Sequence, residues 1–426
     1  MIWAVTLALL GLMSLSIPVG IVLFLLGFGV DQFYSAFPLI RGLGQVVWSA
    51  SDSSTLIAIP FFVLLGEILV RGGIAARTYA ALDTWFSWLP GGLIHANIGT
   101  ATLFSATSGS SVATAATVAT VAMPQAKRLG YDPKLFSGAI AAGGTLGIMI
   151  PPSINLIVYG FLTETSIPRL FLAGLLPGLA LAAAFMAVSA AICAFAPRLG
   201  GSSRHFTWRQ RLGSLGQLIP IAILFIAVIG SIYAGWATPT ESASIGVAIA
   251  LLIAAANRGL TRACLRDALL GTVRITAMIM LVIVGAYFLN FALASAGLGR
   301  DLKDLIEGFG LDPFGTLMLV IGLYIVLGFF IETLSLMVAT IPIVVPIMAD
   351  LGYDKVWFGI LLVLLIEMAL ITPPVGLNLY VVQGARSEGR LSEVMLGAVP
   401  FVFVMLAMAA FLVAVPDLAL FLPSKL

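Results

Sequence analysis

The sequence predicts an all-α polytopic membrane protein made of two inverted-topology repeats, each with a re-entrant helical hairpin and a broken transmembrane helix. Three observations carry that prediction. The chain of 426 residues is 61% hydrophobic and 9% charged, against roughly 25% charged in globular domains. Its apolar stretches recur at about the 20-residue length that a bilayer requires. Shifted by 222 residues, the sequence also matches itself.

Ile2–Phe28 is expected to be an uncleaved first span, because no Lys or Arg precedes it as a signal peptide would require. A polar loop with Asp31, Arg41 and Asp52 follows, then a second span at Thr55–Val70. Thr78–Leu89 is amphipathic and carries Trp85 and Trp88, which suits the membrane interface. Gly92–Met123 is apolar with a polar centre, Ser105–Ser111. As one straight helix it would run to about 48 Å at 1.5 Å per residue, far beyond a core of ~30 Å. It therefore reads as a hairpin at about 92–123.

The next stretch, Leu135–Leu162, is long enough to span but holds Gly143, Gly144, Gly147, Pro151 and Pro152 at its middle. Proline removes a backbone donor and clashes with the preceding turn, so the helix breaks there. Carbonyls freed at membrane depth are tolerated only against protein or a polar cavity. Spans at Leu170–Phe195, Leu218–Tyr233, Ala243–Ala256 and Ile275–Ser295 follow. Between them lie two basic loops, with Arg198, Arg204, Arg209 and Arg211, and with Arg258, Arg262, Arg266 and Arg274. Their placement suits topology signals, not a nucleic-acid site. Phe314–Met348 repeats the hairpin pattern around Glu332 and Thr333. Phe358–Val382 repeats the broken helix around Thr372, Pro373, Pro374, Gly376 and Asn378, and Val394–Val415 is the last span. Cys193 and Cys264 make no disulfide framework or metal site, and His95 and His205 leave little room for histidine catalysis.

The internal match is carried by several features at one offset. Leu129-Gly130-Tyr131-Asp132 returns as Leu351-Gly352-Tyr353-Asp354, Pro151-Pro152 as Pro373-Pro374, and Ser110-Ser111 falls on Glu332-Thr333. Positive charge then sets orientation. With the loops after Val70, Met123, Phe195 and Ala256 and the one before Val394 inside, 15 of the 21 Lys and Arg are cytoplasmic. That assignment has the first hairpin open to the cytoplasm and the second to the outer face. It divides the chain into a first repeat at 1–217, an extra span at 218–234 and an inverted second repeat at 235–426. The amino terminus is then cytoplasmic and the carboxyl terminus periplasmic. Inverted repeats with broken helices are a recurrent architecture of secondary transporters.

Five stretches resemble the large membrane subunit of TRAP transporters, the tripartite ATP-independent periplasmic (DctM-like) family. They are Ala58–Glu67, Ser108–Thr114, Gly147–Ser153, Thr238–Glu241 and Thr372–Asn378, in the family's order and over nearly the whole chain. The resemblance implies an elevator-type, sodium-driven importer in a bacterial inner membrane. It implies a small four-helix membrane subunit as a separate chain, a periplasmic substrate-binding protein that delivers the solute, and no cofactor besides coupling sodium ions. The outer loops Gly299–Asp312 and Asp350–Lys355 are the expected dock for the binding protein.

Sodium takes oxygen ligands, which a helix break supplies as carbonyls and Ser, Thr and Asn supply as side chains. One sodium site is expected from Ser108, Gly109, Ser110, Ser111, Gly147, Pro151, Ser153 and Asn155. The other is expected from Gly328, Glu332, Thr333, Thr372, Pro373, Gly376 and Asn378. In each repeat the tip precedes the Pro-Pro pair by 41 residues. Ser110, Thr145, Pro152, Glu332 and Pro374 are candidates for contact with a small organic acid or zwitterion, since half-helix N-termini favour anionic groups. Blander readings stand beside these. Small serines let helices pack closely, Glu332 at a tip suits a helix cap, and Glu67 and Glu367 suit polar contacts between helices. An intramembrane serine hydrolase using Ser110 or Ser111 with His95 is the alternative class, and an ion channel is another. His95 has no counterpart in the second half, and an enzyme has no reason to repeat its site in inverted form.

Overall fold

The computed structural model describes residues 2–15, 17–35, 38–202, 204–297, 310, 312–386 and 388–425. The side chains of 105–108 lie outside that set, as does most of the expected docking loop at 299–312. The described residues are helical, and seven helices are long and apolar enough to cross a membrane.

The chain runs α1 (Ile2–Ser14), α2 (Val19–Tyr34), α3 (Leu43–Ser51), α4 (Ala58–Arg71) and α5 (Ile74–Phe86). The expected single first span is thus two helices. Pro18 has no N–H to continue α1 and disfavours helical geometry in the residue before it. The expected polar loop after it contains α3, whose amphipathic face packs on a later span. A 68° bend separates α4 from α5, at Gly73 with φ +73°.

The first hairpin follows as α6 (Gly92–Ser108) and α7 (Ser111–Leu129). Its two ends meet: the Leu93 N–H donates to the Tyr131 hydroxyl at 3.0 Å. The broken helix is α8 (Pro133–Met149) and α9 (Ile154–Thr163), and α10 (Ile167–Phe195) spans next. Asp132 caps α8, its Oδ1 accepting from the Leu135 N–H at 2.8 Å. Residues 199–202 lie across the hairpin base, with Asp132 N–H donating to Leu199 O and Ser202 N–H to Leu129 O.

The extra span begins earlier than expected. Thr207 and Gln210 form a reciprocal capping box, so α11 runs Trp208–Phe225, passes through a π turn at Ile226–Gly230 and ends in α12 (Ser231–Tyr233). Arg209 and Arg211 therefore sit on a helix, not in a loop. The same correction applies to Arg262, Arg266 and Arg274. After α13 (Pro239–Ala256), Thr261 caps α14 (Arg262–Ser295), which carries all three.

The second hairpin is α15 (Pro313–Gly328) and α16 (Thr333–Asp350). Its base is closed by Tyr353, whose hydroxyl donates to Pro313 O at 3.1 Å. Tyr131 and Tyr353 are the 222-residue counterparts, so the repeated Leu-Gly-Tyr-Asp does the same work twice. The aspartate repeats its part too, since Asp354 caps α17 (Lys355–Ala369). The second broken helix continues as α18 (Leu377–Ala385), followed by α19 (Leu391–Ala414) and α20 (Asp417–Leu420).

These helices sort into two bodies. Helices α2, α4, α13 and α14 pack on one another as a scaffold. Phe288 of α14 lies against Gly27 of α2, where a Cβ would come within 2.5 Å of its ring. The hairpins and broken helices form the other body and interleave: α7 packs on α18, and α16 packs on α9. Helix α8 meets α19 through Gly138 and Gly397. The scaffold reaches this second body chiefly through α4 and α14.

Candidate functional site

At the first tip, Ser110 caps α7 by accepting from the Ala113 N–H at 3.4 Å. Gly109 has φ +59°, a region that costs other L-residues steric strain. The tip sits directly on the first break. A Cβ on Gly147 would lie 2.9 Å from the Ser110 carbonyl, and one on Gly109 would lie 3.3 Å from Pro152 O. Ser153 is fully buried and caps α9, accepting from the Leu156 N–H at 3.3 Å. Asn155 follows, 4% exposed, and its Nδ2 has no partner. Ser108 ends α6, and its side chain lies outside the described residues.

At the second tip, Glu332 caps α16. Its Oε1 accepts from the Leu334 N–H at 3.1 Å and its Oε2 from the Ser335 N–H at 2.9 Å. The Thr333 hydroxyl donates to the same carboxylate at 3.1 Å. Gly328 lets α15 press on the end of α17, since a Cβ there would lie 2.5 Å from Ala369 Cβ. The second break folds back on that end: the Asn378 N–H donates to Leu370 O at 3.1 Å and the Thr372 hydroxyl to Met368 O at 2.6 Å. Gly376 turns the chain at φ +52°. Pro151-Pro152 and Pro373-Pro374 are both cis. The first pair is buried, whereas Pro374 and its neighbour Val375 are exposed.

Two links cross between the repeats, and spacing within one repeat could not have placed them. The Ser111 hydroxyl donates to Glu367 Oε2 on α17, and Glu367 is fully buried. Asn378 Nδ2 donates to Ala141 O on α8 at 3.2 Å, where the expectation put Asn378 with its own tip. Glu367 Oε1 and Asn378 Oδ1 have no hydrogen-bond partner. Two acceptors without donors, this deeply buried, are costly unless a cation, a proton or water meets them. Thr145 is turned elsewhere: its hydroxyl donates to Ala142 O at 2.7 Å and lies 3.9 Å from Met405 Sδ on α19.

Both tips open on one cavity of about 140 Å³, lined by Ser110, Ser111, Asn155, Glu332, Thr333 and, from the scaffold, Glu67. The scaffold wall, completed by Ile275, Met278 and Ile279 of α14, was not legible in the sequence, because only tertiary packing brings α14 there. Glu67 pairs with Arg71 one turn on, at 2.8 Å. His95 stands on the first turn of α6, its Nε2 2.8 Å from Pro90 O. At 1.5 Å per residue that is roughly 20 Å from the tip serines, so no nucleophile–base pair forms.

A family model described as "Tripartite ATP-independent periplasmic transporter, DctM component" matches residues 6–418. The C4-dicarboxylate TRAP transporter large permease protein DctM of Pseudomonas aeruginosa is 33% identical over 388 residues, covering 91% of this chain and 90% of that protein. The sialic acid TRAP transporter large permease protein SiaM of Vibrio cholerae is 31% identical over 388 residues, covering 90% of each. Among solved structures, the YdaH transporter of Alcanivorax borkumensis aligns over 93% of this chain and 96% of its own, with a TM-score of 0.59 and 14% identity. That likeness concerns the fold alone.

Proposed function

We propose, from the premise that this chain belongs to the DctM family of tripartite ATP-independent periplasmic transporters, that it is a sodium-coupled importer of a small organic acid or zwitterion. It is a transporter permease by family, not an enzyme. The observation that supports the reading best is the cavity itself, where two hairpin tips and two scaffold helices meet beside the first helix break and the end of α17. A carrier needs such a place, reachable from each face in turn.

In this reading the hairpin body moves against the scaffold as an elevator, with the first hairpin opening to the cytoplasm and the second to the periplasm. A small membrane subunit in a separate chain steadies the scaffold, and a periplasmic binding protein delivers the solute. The named solutes of the two relatives above, C4-dicarboxylates and sialic acid, are organic acids, which agrees with the organic acid proposed here.

Sodium is assigned to the two breaks, with the carbonyls around Gly147–Ser153 and Thr372–Gly376 as ligands. The unpartnered Asn378 Oδ1 and the Asn155 amide add to them. Asn155→Ala and Asn378→Ala are each expected to raise the sodium concentration for half-maximal uptake by about 5- to 150-fold, the equivalent of ~1–3 kcal/mol for a lost buried polar partner. Uptake into proteoliposomes, titrated with sodium at fixed solute, reads this directly. Unchanged sodium dependence in both folded variants would make the breaks plain kinks.

A further inference from the structure

We propose that the solute held at the tip cavity is a small zwitterion, with a carboxylate at one end and an amine at the other. The proposal rests on the carrier reading and names the solute class that the same site takes. At about 140 Å³ the cavity is small beside the ~300–1,000 Å³ of pockets that enclose drug-sized ligands. It suits a solute of few carbons.

The two ends of the cavity chemistry differ. One part of the wall is the first turn of α7, Ser111–Ala113. The first N–H groups of a helix lack intrahelical partners and carry partial positive charge. Next to it stands Asn155, whose Nδ2 is buried without an acceptor. An orphaned buried donor is destabilising until an acceptor meets it. A solute carboxylate between this turn and Asn155 supplies one.

The second tip contributes Glu332. Its oxygens take N–H and hydroxyl groups of its own cap, which fixes its position at the N-terminus of α16, whose partial charge of about +0.5 offsets only part of its own. Among the described residues no Lys or Arg lines the cavity. Glu67 is already balanced by Arg71. A second carboxylate on the solute would therefore approach Glu332, a like charge that repels it. An amine at that end is attracted instead. Sodium at the two breaks would raise the potential of the whole cavity and favour any anion. It would not remove the difference between an amine and a carboxylate at Glu332.

Three four-carbon probes isolate that end: butyrate, 4-aminobutyrate and succinate. Their binding is measured by thermal stabilisation of this chain in complex with its small subunit, in nanodiscs at saturating sodium. 4-Aminobutyrate is expected to half-saturate at a concentration about tenfold or more below succinate, the scale of one charge contact. Glu332→Gln, which keeps a capping oxygen, should erase most of that difference and move butyrate by less than about twofold. Asn155→Ala should weaken all three alike. Tighter binding of succinate, or an equal loss for butyrate and 4-aminobutyrate in Glu332→Gln, overturns the proposal. So does failure of all three to bind while sodium still stimulates uptake of the binding protein's own ligand. Loss of sodium stimulation altogether would remove the carrier reading instead.

Discussion

Gly138→Ala is expected to abolish recovery of a folded protein. A Cβ on Gly138 would lie 2.0 Å from the carbonyl carbon of Gly397, and one on Gly397 would lie 1.9 Å from Lys134 O. Both clashes are with backbone, so no side chain can rotate away. In membranes small residues let helix backbones approach closely, and packing there supplies much of the association energy. Forcing α8 and α19 apart would also disturb the tip contacts, because α8 carries Gly144 and Gly147 against the first hairpin. Overpacking usually costs about 1–3 kcal/mol, and a backbone clash on both helices should exceed that range. Fluorescence-detected size-exclusion chromatography should show the monodisperse peak lost in Gly138→Ala and in Gly397→Ala. It should be kept in Gly213→Ala and Gly216→Ala, where an added Cβ meets nothing within 4 Å. A normal peak for Gly138→Ala would mean that the two helices do not meet there.

The second large effect belongs to the link between halves. Ser111→Ala is expected to be worse than the double variant Ser111→Ala/Glu367→Ala. Glu367 is fully buried, and the Ser111 hydroxyl is its one side-chain donor among the described residues. Removing the donor alone strands a buried carboxyl, which costs on the order of 1–3 kcal/mol and more for a charged group. Removing both leaves a void but no stranded polar atom. Glu367→Gln keeps an acceptor for Ser111 and should stay within about threefold of wild-type uptake, while Ser111→Ala loses about 10-fold or more. The double-mutant cycle should give a coupling of about 0.5–3 kcal/mol in the unfolding midpoints, as residues in contact do. Strict additivity would mean that the tip and α17 are not coupled through this bond.

Much of the fold could be read from local signals. Pro151-Pro152 and Pro373-Pro374 announce their breaks because proline forbids the helix bond whatever surrounds it. Tyr131 and Tyr353 were visible as a repeated motif, and both close a hairpin base. Glu332 as a cap was legible as the bland alternative, and the cap is what it forms. What escaped depends on distant partners. Asn378 points to Ala141, 237 residues away in sequence, and Glu367 meets Ser111 across 256 residues. A spacing argument confined to one repeat pairs each tip with its own break and misses the interleaving. The helix α3 escaped for another reason: its apolar residues cover one face of only nine positions, too few for a clear period against neighbouring Asp and Ser.

Side-specific labelling of single cysteines at Gly130 and Gly352 tests the central claim, that two like halves face opposite ways, most directly. The two positions are counterparts in the repeat, each follows the second arm of its hairpin, and neither has an atom within 4 Å of an added Cβ. Both have positive φ, +70° and +89°, so a cysteine there is strained, and the adjacent exposed positions Arg128 and Asp350 serve as alternates. In right-side-out vesicles an impermeant maleimide should label the second site and spare the first, and inverted vesicles should reverse the result. Labelling of both from the same face would contradict the inverted arrangement and, with it, the assignment of one hairpin to each side of the membrane.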